Sequence, residues 1–245
     1  MSSLPISAVL ATWLDAVRSG RAGPDDLADA VRGSDPRHLV VGLPARQSVG
    51  QSAQVEAETV IDLHELPQAA LGRVSLALPA PGDPVGLGGP PELNFAAIEA
   101  GEAVVVGSVG LVPEVDARTV VWRAHPADPV PWVDERETAI ELRTTLIGVT
   151  RSLVDLDVAS WQPEIPDLLM NLRNRPPLPL PPGTDARRVE TIERASLCLE
   201  IVDLAASDDG GAVTAYEMQR RRAALGDLGR AARRALVGAC SGRTD

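Results

Sequence analysis

Strand-forming segments of this chain are grouped in one region, and helical patterns lie before and after it. Five short runs rich in β-branched residues, bounded by Gly and Pro, are typical of strands: HLVVGL (38–43), RVSLAL (73–78), EAVVV (102–106), VGLV (109–112) and TVVWRA (119–124). Strands that precede helices, rather than alternating with them, favour an α+β fold. Gly107 and Ser108 lie between two Val-rich runs and predict a tight hairpin turn. We therefore expect a small, mainly antiparallel sheet.

Residues 1–33 predict a pair of helices that form a hairpin. Apolar side chains recur at helical spacing on one face of the first helix: Ile6, Val9, Leu10, Trp13, Leu14 and Val17. Gly23 and Pro24 begin the second helix, and Asp25 and Asp26 lie in its first turn. Carboxylates at that position complement the helix dipole.

The region 132–240 predicts a helical layer of three to four helices. Its longest helix has one apolar row and a flanking second row, which predict a wide buried face: Ala139, Leu142, Leu146, Val149, Leu153 and Leu156, then Ile140, Ile147 and Val154. A short helix over 167–173 and a proline-stiffened spacer over 175–184 follow. Thr184 is expected to cap the next helix. Thr214 and Glu217 form a capping box for the last one.

The last helix is expected to direct its apolar row inward: Leu225, Leu228, Ala232 and Leu236. Asn94 to Ala100, closed by Gly101, predicts another short helix. Residues 44–72 favour a helix broken at Pro67, with strand and loop as the alternative. Together these segments predict a single α+β domain over 1–245, with sub-regions 1–33, 38–125 and 132–240.

Charge and composition exclude several classes of function. The net charge is −11, so the average field repels a phosphate backbone and argues against a nucleic-acid partner. All 23 basic residues are Arg, which excludes Schiff-base, P-loop and pyridoxal-phosphate chemistry that needs a lysine. No apolar run approaches the ~18 residues of a membrane span. The N-terminus lacks the pattern of a signal peptide, and we expect a cytoplasmic protein.

Cys198 and Cys240 are the two cysteines, and no CxxC motif is present. Two reduced thiols are the expected state in the cytoplasm, with a single disulfide as the alternative.

The segment 78–94, LPAPGDPVGLGGPPELN, is the most unusual in the chain because it is dense in Gly and Pro. Such a loop either wraps a ligand, with backbone N–H groups bared at its glycines, or covers a sheet edge. It contains no phosphate-loop motif. The candidate ligand-binding residues are Asp83, Gly86, Gly88, Gly89, Glu92 and Asn94. Glu99 and Glu102 follow and raise the alternative of a carboxylate pair for acid–base work or a hard cation.

Other chemistry has little support in the sequence. His38, His64 and His125 are far apart, although His38 and His125 each flank a predicted strand. None has the spacing of a metal-binding motif. Ser108 lies in GSVG, which lacks the spacing of a nucleophile elbow. No catalytic residue, metal site or cofactor is predicted.

The last helix carries many arginines: Arg220, Arg221, Arg222, Arg230, Arg233 and Arg234. They predict either a surface for an anionic partner or pairing with acids of the preceding helix and turn. The second interpretation is favoured, with these acids as the partners: Glu190, Glu193, Glu200, Asp203, Asp208 and Asp209.

Among the tryptophans, Trp13 is expected in the core and Trp122 on a strand, while Trp132 and Trp161 bracket the long helix. Three phrases resemble those of an uncharacterised protein family of high-GC, actinobacterial genomes: 78–94, GLVPEV (110–115) and DDGGAVTAYE (208–217). The likeness extends over most of the chain from about residue 70. The resemblance implies a bacterial cytoplasmic protein and brings no activity or cofactor with it.

Two functional classes follow from these patterns. The favoured one is a non-catalytic accessory or protein-interaction protein whose acidic surface or proline-bounded loop meets a protein partner. The alternative is a small-molecule-binding protein or enzyme that uses the Gly/Pro-rich loop 79–94 over a pocket at the sheet edge.

Overall fold

The computed structural model describes residues 4–33, 37–44, 59–116, 119–155, 177–206 and 215–242. In these ranges the α-helices are α1 (Ile6–Arg18), α2 (Pro24–Arg32), α3 (Leu66–Ala69), α4 (Pro91–Ala100), α5 (Glu135–Asp155), α6 (Ala186–Ala206) and α7 (Ala215–Cys240). The strands are β1 (His38–Val41), β2 (Val60–Asp62), β3 (Val74–Ala77), β4 (Ala103–Val106), β5 (Val109–Asp116) and β6 (Thr119–Pro126). The α+β class is confirmed.

The chain divides into two compact units, which are described separately. The sheet unit comprises the described residues of Pro5–Trp132, Pro179–Thr184 and Cys240–Asp245. The helical unit comprises those of Met1–Leu4, Val133–Leu178 and Asp185–Ala239. The expectation of one domain over the whole chain stays a prediction.

The sheet unit contains a six-stranded sheet in the order β2-β1-β6-β5-β4-β3. All neighbouring strands are antiparallel except β1 and β6, which are parallel. The five strands predicted from β-branched runs are all present, and Gly107 and Ser108 make the predicted turn between β4 and β5. The expected mainly antiparallel sheet is therefore confirmed.

The helix predicted within residues 44–72 is wrong for the described part of that segment. Val60–Asp62 forms strand β2 on the sheet edge, paired with β1. The Asp62 carboxylate then accepts the Leu63 N–H at 2.9 Å and begins a 3₁₀ helix over Leu63–Glu65. Pro67 lies in the first turn of α3, where its missing N–H has no helical partner to lose. The proline starts a short helix instead of breaking a longer one.

Helix α4 packs on one face of the sheet through a small apolar cluster. Leu93 and Ala97 of α4 are fully buried, and they belong to one core with four sheet residues: Ala77, Ala103, Val105 and Val112. Gly110 of β5 points toward the same helix, because a Cβ at this position would lie 2.5 Å from Leu93 Cδ1. The bare glycine thus leaves the space that the Leu93 side chain fills.

Helix α1 covers β3 and β4. Side chains alternate between the faces of a strand, so Leu76, Val104 and Leu111, all fully buried, point away from α4. At the C-terminal end of α1, the Arg18 guanidinium donates to the carbonyl oxygens of Ala70 and Gly72, just before β3.

Two returning segments complete the sheet unit. The Trp13 indole N–H donates to the Pro179 carbonyl at 2.8 Å, so this half-buried tryptophan holds the proline-rich segment. Ser241 Oγ accepts the Leu76 N–H at 3.0 Å, and the Gly242 N–H donates to the Val74 carbonyl at 2.8 Å. Residues after α7 therefore satisfy backbone groups of the edge strand β3.

The helical unit contains α5, α6 and α7, in agreement with the three to four helices expected. Arg188 at the start of α6 forms a two-point ion pair with Glu135 at the start of α5, at 2.8 and 3.2 Å. Gly238 near the end of α7 lies against Thr138, where a Cβ would be 2.7 Å from its hydroxyl oxygen. Hence α5 and α6 start side by side, while α7 runs antiparallel to α5. No helix in the described ranges is both long and apolar enough to cross a membrane.

Two expectations for these helices are corrected. Asp185, not Thr184, caps α6, because its carboxylate accepts the Arg187 N–H at 2.9 Å. The flanking row of α5 is not buried, because Ile140 and Ile147 are each 55% exposed. The apolar row of α7 does point inward as predicted. The predicted helix over 167–173, Trp161 and the Thr214 capping box lie outside the described residues.

Glu102 connects the start of β4 to the start of α1. Its carboxylate accepts the backbone N–H of Ser7 at 2.8 Å, an N–H of the first helical turn that lacks a partner within the helix. Burial raises the pKa of Glu102 above its ordinary value of 4.5, and the hydrogen bonds from Ser7 offset only part of this effect. The residue is a helix-capping group here, and Ser7 rather than a second carboxylate is its partner.

The raised pKa of Glu102 predicts a pH-dependent stability. The folded protein holds this proton more tightly than the unfolded chain, so the stabilisation is full below about pH 4.5 and is lost as pH rises through the folded pKa. Glu102→Gln should flatten the free energy of unfolding over that window, measured by urea denaturation at several pH values. Glu99→Gln, at an exposed position, is the control and should keep the wild-type slope. An unchanged slope in Glu102→Gln would contradict the assignment.

Candidate functional site

The Gly/Pro-rich loop folds back on itself immediately after β3. Ala80 and Asp83 exchange backbone hydrogen bonds of 2.9 and 2.8 Å, and the Leu78 N–H donates to the Val85 carbonyl at 3.2 Å. These bonds make a tight, hairpin-like turn. Asp83 lies in that turn and is half-buried.

The three candidate glycines of the loop lie against the backbone or side chains of the same unit. A Cβ on Gly86 would be 2.5 Å from Ala77 Cα and closer still to the Leu76 oxygen. A Cβ on Gly88 would be 2.5 Å from the Pro129 oxygen. Gly89 lies against Asp128, whose N–H donates to the Gly89 carbonyl at 2.9 Å. The glycines permit close packing of the loop on the sheet unit, which agrees with the interpretation of a rigid cover.

The remaining candidates lie on α4 and face different directions. Glu92 is exposed in the first turn of the helix, whereas Asn94 is half-buried. Asn94 Oδ1 is buried without a hydrogen-bond partner among the described residues. Binding of a ligand by the six candidate residues of this segment stays a prediction.

The histidines are not brought together. His38 pairs with Val120 in the register of β1 and β6, and His125 lies five residues farther along β6. At ~3.3 Å per residue the two are about 16 Å apart. His64 is exposed, beside Asp62. Across the described ranges, no three His, Cys, Asp or Glu side chains are grouped so that they could hold a metal ion.

The surroundings of His38 indicate a structural role. It is buried, and the Trp122 indole N–H donates to its Nδ1 at 3.3 Å. In that bond Nδ1 is the acceptor. Burial and the nearby Arg123 lower the pKa of His125.

The two cysteines and the hairpin serine lie in different environments. Cys198 and Cys240 are buried and form no disulfide, which confirms the expectation of two thiols. Burial raises the pKa of Cys198, so this sulfur is a protonated, poor nucleophile. Ser108 lies in the β4–β5 turn, and its backbone carbonyl accepts the Ala127 N–H at 2.9 Å.

The outward face of α4 was not among the candidate sites that the sequence suggested. Phe95 is 72% exposed and Ile98 40% exposed, one helical turn apart. Pro91, Glu92 and Glu99 are exposed beside them. These five residues are called the α4 face. Helical spacing alone contained the signal, because Leu93 and Ala97 define the buried side and leave Phe95 opposite to it.

A groove of about 530 Å³ lies between α5 and α7 of the helical unit. Its walls are mostly small residues and arginines, and it is called the α5–α7 groove. The lining residues are Glu141, Thr145, Gly148, Val149, Ser152, Arg220, Ala223, Ala224, Asp227, Arg230, Ala231 and Arg234.

Three arginines of α7 have partners other than the acids of α6 and its following turn: Arg221, Arg230 and Arg234. Arg230 pairs with Asp227 on α7 itself, and Arg234 pairs with Glu141 of α5 at 3.7 Å. Arg221 donates to a backbone carbonyl of α6, that of Ala205, at 3.1 Å.

One of the expected acids has a different partner, and two others lie outside the described residues. Glu190 pairs with Arg194 of its own helix at 2.6 Å, and Asp208 and Asp209 lie outside the described residues. Two arginines of α7 that line the groove, Arg230 and Arg234, therefore have their partners on α7 itself and on α5.

The close packing of the loop generates a test with a matched control. Gly86 and Gly82 both have positive φ, +84° and +78°, but a Cβ on Gly82 meets nothing within 4 Å. Gly82→Ala should lower the free energy of unfolding by ~1 kcal/mol, the cost of a left-handed Ala. Gly86→Ala should cost a further ~1–3 kcal/mol because the methyl group overlaps β3. Urea denaturation measures both, and equal losses would show that the loop yields easily.

Comparison with known proteins places the chain in a family. The family model described as "Rv1486c-like protein, N-terminal domain" matches residues 7–135, and the one described as "Rv1486c-like protein, C-terminal domain" matches residues 136–237. Two Mycobacterium tuberculosis relatives, "Uncharacterized protein Rv1486c" (strain ATCC 25618 / H37Rv) and "Uncharacterized protein MT1533" (strain CDC 1551 / Oshkosh), are 33% identical over 125 residues.

That alignment covers 44% of this chain and 43% of each relative, so the chain matches less than half the length of either. No solved structure matches the chain significantly. The two family models together extend from the first helix to the last, and their boundary falls at the start of α5. The likeness to an actinobacterial family is thereby confirmed, and the chain belongs to the Rv1486c-like family.

Proposed function

We propose that this protein is a non-catalytic, cytoplasmic interaction protein that binds a protein partner through the α4 face. The observation that carries the proposal is the exposure of Phe95, the single phenylalanine of the chain, at 72%. Aromatic side chains contribute strongly to the centres of protein interfaces. Burial of a side chain of this size contributes ~1.5–3 kcal/mol.

The α4 face is a rigid platform, which lowers the entropic cost of binding. Leu93 and Ala97 hold the helix on the sheet, and both are fully buried. Gly101 ends the helix in the left-handed conformation, with φ of 77°. Phe95 and Ile98 are thus presented on a fixed backbone. The backbone of this surface is therefore already ordered before a partner binds.

Charge defines the chemistry of the partner. Glu92 and Glu99 lie on the same side of α4, seven residues or ~10 Å apart along the helix. A complementary surface has an apolar pocket for Phe95 with arginine or lysine side chains at its rim. The net charge of −11 makes a protein a better partner than a nucleic acid.

The second candidate is a small-molecule-binding protein or enzyme that uses the loop 79–94. The observation in its favour is Asn94 Oδ1, which is buried without a hydrogen-bond partner among the described residues. The packing of the loop favours the interaction proposal, because Gly86, Gly88 and Gly89 lie in close contact with other residues of their own unit.

A comparative capture experiment tests the proposal. Wild-type protein and the double variant Phe95→Ala/Ile98→Ala are used as bait in lysate of the native host, and each captured protein is quantified by mass spectrometry. The double variant should retain at least ~10-fold less of the specific partner, since two anchors are lost. Both side chains are exposed, so the thermal melt should be unchanged.

The matched control is Leu71→Ala/Val115→Ala, which removes two apolar side chains that are 71% and 70% exposed and lie outside the α4 face. It should capture the partner as the wild type does. Equal capture by all three baits would refute the α4 face as the binding surface.

If the double variant does lose a partner, that partner should be purified. Its affinity for the wild-type protein should fall with added salt.

A further inference from the structure

We propose that a second copy of this chain is a partner of the α4 face, and that the α5–α7 groove of that copy receives it. This inference rests on the proposed function, because it names the partner of the same surface. The α4 face and the α5–α7 groove lie on separate elements of the chain, and they are complementary in shape and in charge.

The shapes of the two surfaces are complementary. The groove holds about 530 Å³ between two helices and is lined by Gly148, Ala223, Ala224 and Ala231. Small residues on facing helices leave holes into which the large side chains of a third helix can pack. The α4 face presents such side chains, Phe95 and Ile98, one turn apart. Both the projecting and the receiving surfaces are helical.

The charges of the two surfaces are opposite. The α4 face carries Glu92 and Glu99. The groove carries three arginines against two carboxylates, so its net charge is positive: Arg220, Arg230 and Arg234, with Glu141 and Asp227. Glu92 and Glu99 are ~10 Å apart along their helix, while Arg220 and Arg230 are ~15 Å apart along theirs. Long guanidinium side chains cover this difference.

The arginines of the groove are available to a new partner at low cost. Arg230 and Arg234 form exposed ion pairs, and such pairs contribute ~0–1 kcal/mol. Arg220 lies over the Tyr216 ring at 5.8 Å and donates to its hydroxyl at 3.0 Å. In the part of the chain that the structure describes, no carboxylate lies within ion-pair distance of Arg220. An incoming Glu92 or Glu99 therefore supplies a carboxylate that this arginine lacks.

One further exposed side chain lies on the groove side of α7. Tyr216 is 63% exposed, one turn before Arg220. A helix seated in the groove reduces the exposure of this ring, which adds a favourable hydrophobic contribution.

The contact joins two different surfaces, so it is heterologous, and each copy keeps one surface available for another. The contact is limited to a few helical turns on each side, which is small beside the ~800 Å² per partner of a standard interface. We therefore expect reversible, concentration-dependent association that is weakened by salt.

Sedimentation velocity with charge-reversed variants tests the inference. The first variant, Glu92→Arg/Glu99→Arg, makes the α4 face basic. The second, Arg220→Glu/Arg230→Glu, makes the groove acidic. Wild-type protein should sediment faster as its concentration rises, and each variant alone should show an association constant at least ~10-fold lower, because like charges then face each other. An equimolar mixture of the two variants should recover association, since each surface again meets its opposite.

Arg136→Glu/Arg143→Glu is the matched control, because it reverses two exposed arginines of α5 outside the groove. It should associate as the wild type does, and thermal melts establish that all variants are folded. A wild type that stays monomeric at every concentration, or a mixture that fails to associate, would overturn the inference. In that case the capture experiment decides the proposed function separately. If the wild-type bait captures a host protein that the Phe95→Ala/Ile98→Ala bait does not, the proposed function stands with a different partner.

Discussion

The seating of Leu93 over Gly110 is the contact on which the arrangement of the sheet unit depends. Gly110 lies in the middle of the sheet without a side chain, and the Leu93 methyl groups occupy the place of its Cβ. This close approach lets a helix of ten residues, with Ala at three of its inner and flanking positions, lie flat on strands β4 and β5. Because one side of α4 is held so tightly, its opposite side has a fixed position, and Phe95 is directed into solvent.

The fold was largely predictable because its strands and helices have strong local signals. Five strands follow from β-branched runs, and α1, α2 and α7 follow from apolar spacing. Strand β2 could not be found in this way, since three residues that include Asp62 carry no alternation, and only its pairing with β1 makes them a strand. The sequence also could not explain why position 88 is glycine. The Pro129 carbonyl that excludes a side chain there is 41 positions away in the chain.

The candidate site was predictable only in part, and for a related reason. Helical spacing in α5 identifies apolar rows but does not say how many neighbouring elements cover them. Leu142 is buried, whereas Ile140, two residues earlier, is 55% exposed. Arginine pairing has the same limit, because a sequence shows acids on α6 while the structure brings Glu141 of α5 to Arg234. Contacts between distant segments decide both outcomes, and local pattern does not contain them.

The distribution of aromatic side chains bears on the proposed interaction surface. It has six aromatic residues in all, and five lie in the described ranges: Trp13, Phe95, Trp122, Trp132 and Tyr216. Trp122 is buried, but Phe95, Trp132 and Tyr216 are each more than half exposed. Apart from Trp122, the large side chains of the described core are aliphatic. Trp132 and Tyr216 each have an arginine over the ring, Arg73 at 5.5 Å and Arg220 at 5.8 Å, whereas no such contact covers Phe95 in the described residues. Phe95 is therefore the aromatic side chain on which the proposed interaction depends most.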